Sequence, residues 1–161
     1  GLVLDYNLAE NFILKSYFDP KYQNKGFIKF DKMYETANKL IEQYDVRSGE
    51  GAKSITRGMS GGNQQKVVIA KWLAKQPKIL VLDEPTRGID LGAKAEIYRL
   101  INGLTDKGMA ILLVSSELPE LIGLCDRILV MHEGKITGEF SRSEFSETDI
   151  MSCATGRSTH L

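Results

Sequence analysis

Residues 59–90 read MSGGNQQKVVIAKWLAKQPKILVLDEPTRGID, and this stretch decides the fold. A glycine-bearing turn at residues 60–62 opens a run whose apolar residues, from Val67 to Leu73, recur at helical spacing. After Pro77, the apolar run at residues 79–82 predicts a strand that is buried on both faces. Because helix and strand patterns alternate from here onward, the sequence predicts an α/β fold with a mostly parallel sheet.

The turn at residues 60–62 has the chemistry of an anion site. A helix start leaves backbone N–H groups unpaired and carries partial positive charge. Gly61 and Gly62 would let an anion approach that backbone closely, and the Ser60 hydroxyl adds a donor. Asn63 and Gln64 follow directly. The same residues also fit a simpler interpretation, in which Ser60 is an N-cap and the glycines serve the turn.

Two adjacent carboxylates, Asp83 and Glu84, follow the apolar strand. Open α/β sheets place ligand chemistry at the carboxyl ends of their strands. In a nucleotide site, the first carboxylate would hold Mg²⁺ through water, and the second would orient or deprotonate the attacking water. The alternative is a carboxylate pair that caps the next helix. Asp90, just before Leu91, is likewise most simply an N-cap.

Composition bounds the remaining possibilities. The chain has 161 residues, which is the length of one domain and is enough to bury a core. Lys plus Arg and Asp plus Glu both number 21, so charge gives no argument for a nucleic-acid partner. Cys125 and Cys153 stand far apart and match no metal-ligand spacing, which suits a reducing compartment.

By pattern, the chain divides into three parts. Residues 1–58 form a helical region, residues 59–140 hold the central stretch and the α/β core that follows it, and residues 141–161 form a final helix and tail. Because residue 1 is glycine and the chain begins in mid-pattern, we expect a fragment of a longer protein.

Local signals place several elements within these parts. Asn7 begins a capping-box-like sequence for a helix that runs through about Tyr17. Asp31 is predicted to cap a second helix, which has an apolar face. Glu133 and Gly134 predict a hairpin turn between two strands.

Three motifs resemble those of ATP-binding cassette (ABC) ATPases. Residues 59–65 are similar to the ABC signature, with Met59 for the usual leucine and Asn63 for the usual glutamine. Residues 79–83 resemble Walker B, and residues 88–90 resemble the D-loop. The chain is most similar to the carboxyl-terminal cassette of the fused, two-cassette ATPases that drive bacterial monosaccharide importers of the galactose and ribose type.

The resemblance implies a partial ABC-type cassette of the P-loop NTPase fold with a helical subdomain, and it implies ATP and Mg²⁺ as cofactors. Glu84 then matches the catalytic glutamate, and Asp83 matches the carboxylate that holds Mg²⁺ through water. The nucleotide-contacting positions that carry over from the signature and the D-loop are Ser60, Gly61, Gly62, Asn63, Gln64 and Asp90.

The resemblance also implies partners and a location. The chain would work with a partner ABC cassette, which is an amino-terminal half or a second copy, and with transmembrane permease subunits. A periplasmic or lipoprotein sugar-binding protein would act indirectly, and no nucleic acid is expected. The protein would then be peripheral, at the cytoplasmic face of the cell membrane.

Two departures from the family pattern bear on activity. No G-x-x-x-x-G-K-[ST] occurs, so this chain lacks the family's phosphate loop, Walker A, and also its Q-loop. The isolated chain is therefore predicted to bind ATP weakly or not at all and to be inactive. Ser116 stands where most ABC domains have the switch histidine, and serine cannot carry positive charge. His132 and His160 fall outside that motif, and we interpret them as a surface residue beside the hairpin and as part of a frayed terminus.

These departures favour a catalytic role in trans. A half with serine at position 116 would hydrolyse ATP poorly in its own site, while residues 60–62 could complete the partner's site. Asp83 and Glu84 would serve a second site that mainly binds ATP or hydrolyses it slowly. The alternatives are a nucleoside importer ATPase of the same family, a soluble ABC ATPase that acts on ribosomes or DNA, and a non-catalytic binding module.

Overall fold

The computed structural model describes all residues, 1–161. The helices are α1 (Leu8–Ile13), α2 (Phe30–Gln43), α3 (Gly61–Leu73), α4 (Leu91–Thr105), α5 (Leu118–Leu124) and α6 (Glu147–Ala154). The strands are β1 (Gln23–Asn24), β2 (Phe27–Ile28), β3 (Ile79–Asp83), β4 (Ala110–Val114), β5 (Arg127–His132) and β6 (Lys135–Ser141). None of the helices combines the length and the apolar character that crossing a bilayer requires.

The chain forms two compact units. The first unit holds residues 1–80 and 85–110, and the second holds residues 81–84 and 111–161. These limits differ from the divisions at 58 and 140, which follow motifs and not packing. The three-part division by motif therefore stays a prediction.

Helices α1 and α2 begin in different ways. The Asn7 side chain accepts from the Glu10 N–H at 2.9 Å, and the Glu10 carboxylate accepts from the Asn7 N–H at 2.8 Å. This capping box confirms the predicted start of α1, although the helix ends before Tyr17. Helix α2 begins at Phe30, so Asp31 lies inside its first turn and does not cap it. The negative charge of Asp31 still interacts favourably with the helix dipole in this first turn.

The core of the first unit lies among α1, α2 and α3. Its most buried apolar side chains include Leu8, Phe12, Met33, Ala37 and Val67. Asn11 is buried with them, and its side-chain amide both accepts from the Val3 N–H and donates to the Val3 carbonyl, each at 2.9 Å. Because these hydrogen bonds offset the cost of burying the amide, Asn11 can hold the amino-terminal segment on α1.

Helices α3 and α4 cross at Gly62. A Cβ atom at Gly62 would lie 2.4 Å from the Cβ of Ala93 and 3.6 Å from its Cα. Carbon atoms in van der Waals contact are about 3.5–4.0 Å apart, so no side chain fits at this point. The glycine therefore lets the two helices approach each other.

In the second unit, β5 and β6 form an antiparallel hairpin, as the Glu133-Gly134 turn predicts. Both turn residues have positive φ, 45° and 77°, which matches the twist of a tight hairpin. Helix α6 packs against the hairpin. The buried side chains of this core are Ile128, Val130, Phe140, Ile150 and Cys153.

The carboxyl terminus pairs with β6. The His160 N–H donates to the Thr137 carbonyl at 2.8 Å, and the His160 carbonyl accepts from the Glu139 N–H at 2.7 Å. The His160 ring stacks on Phe140, with the ring centroids 4.5 Å apart. The interpretation of His160 as part of a frayed terminus is therefore wrong, because both backbone bonds and ring packing fix it. His132 is half-buried, and its Nδ1 lies 2.9 Å from a carbonyl oxygen of α6.

Strands β3 and β4 form a sheet of their own. They run parallel, because hydrogen bonds join Lys78 to Ala110 at the start of the two strands and Glu84 to Val114 at their end. The predicted mixture of helices and strands is present, but three two-stranded sheets replace the mostly parallel sheet. The β1–β2 and β5–β6 pairs are antiparallel because short turns connect their strands.

Strand β3 is buried on one face only. Leu80 and Leu82 are 6% and 7% exposed, whereas Ile79 and Val81 are 65% and 61% exposed. The prediction of a strand buried on both faces is therefore wrong for this chain, which leaves the second face uncovered.

Gly62→Ala should destabilise the first unit by about 1–2 kcal/mol. The added methyl group would overpack the crossing, at a cost of roughly 1–3 kcal/mol, and alanine's higher helix propensity offsets up to about 1 kcal/mol of this. Gly103→Ala in α4 is the matched control, since a Cβ there meets no atom within 4 Å. That control should stabilise the chain by roughly 0.4–1 kcal/mol. Urea denaturation measures the free energy of unfolding of both variants. Equal changes in the two variants would contradict the close approach of α3 and α4 at Gly62.

Candidate functional site

Ser60 begins α3 as its N-cap, with extended backbone angles (φ −63°, ψ 152°). Its Oγ accepts from two donors on Asn63, the backbone N–H at 3.4 Å and Nδ2 at 3.0 Å. The serine itself is exposed. The capping interpretation is therefore confirmed, and the hydroxyl group is also accessible to a ligand.

The two glycines after Ser60 differ in role. Gly61 is exposed, and a Cβ there would lie 3.3 Å from Cγ2 of Ile89. Gly62 is buried, and its missing side chain makes room for Ala93. The exposed backbone that an anion could approach thus lies at Ser60 and Gly61, while Gly62 serves helix packing.

The side-chain amides of Asn63 and Gln64 are bonded within the chain. Gln64 Nε2 donates to the carbonyl oxygens of Thr56 and Met59, both at 3.1 Å. Asn63 Oδ1 accepts from the Arg47 N–H at 2.9 Å. Both amides hold the loops around the start of α3, and direct contact of either with a nucleotide stays a prediction.

Asp90 caps α4, because its carboxylate accepts from the Ala93 N–H at 2.9 Å. This confirms the N-cap interpretation. A concavity of about 380 Å³ adjoins the loop before Asp90, and its lining includes Gly61, Arg87 and Gly88. Sequence reasoning missed Arg87, although a cation directly before the D-loop-like residues 88–90 is a readable signal for an anion site.

A charge cluster, consisting of Asp45, Arg47, Lys66 and Glu96, links the loop after α2 to α3 and α4. The Lys66 side chain is 5% exposed, and its Nζ lies 2.8 Å from the Glu96 carboxylate and 3.3 Å from that of Asp45. The same Nζ donates to the Asp45 carbonyl at 2.8 Å. Arg47 lies 3.1 Å from Glu96 and 3.5 Å from Asp45. The lysine was missed in the sequence, although it stands three residues after Asn63 on the same helix face.

Lys66 changes the acidity of both carboxyl groups. Its hydrogen bond holds the pKa of Glu96 below the usual range and does the same for Asp45. The charged forms of these carboxylates therefore stabilise the junction of α2, α3 and α4 near neutral pH.

In the second unit, the structure brings Glu84 and Ser116 together. The Glu84 carboxylate accepts from the Ser116 N–H at 2.9 Å, and the Glu84 N–H donates to the Val114 carbonyl at 2.8 Å. The contact uses the serine's backbone and not its hydroxyl. Glu84 has φ of +47°, a left-handed conformation that is uncommon for a glutamate. Asp83 is exposed at the end of β3.

The described residues fit a Mg²⁺-triphosphate only in part. In the first unit the turn at Ser60 exposes hydrogen-bond donors, and in the second unit Asp83 and Glu84 carry carboxylate oxygens, whose role as Mg²⁺ ligands stays a prediction. The structure has no group of three or more His, Cys, Asp or Glu side chains that could hold a metal ion. The sequence also has no phosphate loop to cradle the β- and γ-phosphates. The chain's own residues therefore do not complete a nucleotide or metal site.

Stability at acidic pH should depend on the charge cluster. The pKa values of Asp45 and Glu96 are lower in the folded protein than in the unfolded chain. The two carboxylates therefore stabilise the fold fully at pH values above their unfolded-state pKa values, and this contribution is lost as pH falls through their folded-state pKa values. The wild type should lose more unfolding free energy than Glu96→Gln between about pH 7 and pH 3. Urea denaturation at each pH checks this.

Glu42→Gln is the matched control for that series, since Glu42 is exposed on α2. It should follow the wild-type pH profile. A Glu96→Gln profile that is parallel to the wild type would contradict the role of Lys66 as the cause of the lowered pKa values.

Comparison with known proteins adds family evidence. Residues 4–87, just over half of the chain, match the family described as ABC transporter. The chain is 50% identical over 156 residues to the ribose import ATP-binding protein RbsA of Bacillus licheniformis, which covers 97% of this chain and 31% of that protein. It is 47% identical over 160 residues to the RbsA protein of Oceanobacillus iheyensis, covering 99% and 32%. The chain thus spans about a third of the length of the curated relatives it matches.

Solved structures show the same fold at lower sequence identity. A putative metal-chelate type ABC transporter in an inward-facing conformation matches with a TM-score of 0.78 at 15% identity, over 97% of this chain and 61% of that chain. A dimeric ATP-binding cassette bound to ADP and Pi matches with a TM-score of 0.70 at 23% identity, over 90% and 60%. These matches confirm the predicted cassette fold.

Proposed function

We propose that this chain, which belongs to the ABC transporter family, is part of the ATP-binding subunit of a bacterial ribose-type sugar importer. The observation that carries the proposal is the 47–50% identity to ribose import ATP-binding proteins over nearly the whole chain. This identity favours a sugar importer over a nucleoside importer or a soluble ABC ATPase. In the intact subunit the activity would be ATP hydrolysis coupled to import.

The chain's contribution would be made in trans. Ser60 and Gly61 present an exposed donor turn at the start of α3, which suits the phosphates of an ATP bound mainly by another cassette. A dimeric cassette among the structural neighbours supports a partner of this kind. Gly62, Asn63, Gln64 and Asp90 would shape this surface, since their side chains or close packing fix the loops around it.

The carboxylates of the second unit would serve a different ATP. Glu84 is held by the Ser116 backbone, and Asp83 is exposed beside it. Because serine replaces the histidine of most family members, this second site would bind ATP or hydrolyse it slowly. Mg²⁺ would be shared with the phosphates there, with Asp83 acting through water.

The subunit would be peripheral, at the cytoplasmic face of the cell membrane. Its partners would be a second cassette and the permease subunits, and a periplasmic or lipoprotein sugar-binding protein would act through the permease. Import ATP-binding proteins as relatives support this placement.

Ser60→Arg should suppress ATP hydrolysis by the full-length subunit, assembled with its permease, far more than Glu84→Gln does. A bulky cation at the donor turn blocks the partner's ATP, and we expect at least a tenfold loss, about 1.4 kcal/mol in activation free energy. Sugar-stimulated phosphate release in proteoliposomes measures both variants. The reverse ranking of the two variants would contradict the proposal that Ser60 acts on an ATP bound mainly by the partner cassette.

Mg-ATP should not bind detectably to this 161-residue chain alone. The cradle for the β- and γ-phosphates is missing, so the exposed turn has too few donors for stable binding. Calorimetric titration tests this directly. Binding near micromolar, about −8 kcal/mol, would show a phosphate site within the chain and would contradict the division of labour proposed.

A further inference from the structure

The hydrogen bonds around Ser60 fix the direction of its proton. A serine hydroxyl has one donor and two acceptor lone pairs. Both acceptor positions are used by Asn63, through its backbone N–H and its Nδ2. The remaining O–H is then free to donate on the exposed side of the turn.

The orientation of the Asn63 amide is also fixed. Its Oδ1 accepts from the Arg47 N–H at 2.9 Å, so the NH₂ group must face Ser60. An amide turned the other way would place two donors, Nδ2 and the Arg47 N–H, against each other. The backbone of Arg47 therefore decides which atom of Asn63 reaches the serine.

The charge cluster holds that backbone in place. Arg47 lies two residues after Asp45, whose φ of +47° turns the chain after α2. Lys66 on α3 bonds both the carbonyl and the carboxylate of Asp45, and it shares Glu96 with the Arg47 guanidinium. A continuous set of contacts thus runs from α4 through Arg47 and Asn63 to the Ser60 hydroxyl.

We propose that Asn63 is a positioning residue, which holds the Ser60 hydroxyl as a hydrogen-bond donor to an anionic phosphate oxygen. It does not itself contact the nucleotide. This role rests on the proposed function, and it replaces the expectation that Asn63 binds the nucleotide directly. The role depends on Asn63 being a donor toward Ser60 and an acceptor toward Arg47 at the same time.

Asn63→Asp separates these two requirements. The aspartate keeps the size of the side chain and still accepts from Arg47, but it accepts from Ser60 where asparagine donated. The serine proton then turns toward residue 63 and away from the ligand. We expect kcat for ATP hydrolysis by the full-length, permease-bound subunit to fall at least about tenfold. Thermal stability should not fall, because a negative charge in the first turn of α3 interacts favourably with the helix dipole.

A double-mutant cycle tests whether repulsion between the new carboxylate and the phosphates, and not the direction of the Ser60 proton, causes the loss of kcat. In a Ser60→Ala background there is no proton to misdirect, so adding Asn63→Asp should cause no further loss of kcat. Asn102→Asp, which adds the same charge at an exposed position of α4, is the matched control and should leave kcat unchanged. A full additional loss in the Ser60→Ala background would overturn the positioning role, as would wild-type activity of Asn63→Asp.

The same experiment separates this inference from the proposed function. If the wild-type assembly fails to hydrolyse ATP, the proposed function is wrong. If the wild type is active and the two substitutions act independently, only the role of Asn63 is wrong.

Discussion

The close approach of α3 to α4 at Gly62 and Ala93 is the constraint on which the first unit depends. It requires a residue without a side chain at the second position of α3. It also sets the distance over which Lys66 on α3 reaches Glu96 on α4. The residue type at this one position therefore determines how two helix starts, the turn at Ser60 and the cap at Asp90, are placed relative to each other.

The charge cluster adds direction to this placement. Apolar packing alone would tolerate small rotations of α3, because dispersion contacts are not directional. Lys66 is held by two carboxylates and one carbonyl, and hydrogen bonds to charged groups are more restrictive. The start of α3 is therefore fixed by a combination of shape at Gly62 and charge at Lys66.

Features set by local chemistry could be predicted from the sequence. The caps at Asn7, Ser60 and Asp90 follow from side chains that bond a backbone three residues away, and the Glu133 hairpin follows from its turn. The cassette fold followed from motif order. In contrast, the packing of Gly62, the partners of Lys66 and the pairing of His160 depend on residues distant in the chain. The exposed face of β3 was also missed, because a run of apolar residues does not say what covers it.

The backbone at Glu84 stores local strain. A left-handed conformation costs a glutamate roughly 1–2 kcal/mol relative to glycine, which adopts it freely. The hydrogen bond that the Glu84 carboxylate accepts from the Ser116 N–H, at 2.9 Å, offsets part of this cost. The end of β3 is therefore held in its conformation by a side chain, and the same turn could be formed without that side chain only by a residue that adopts positive φ freely.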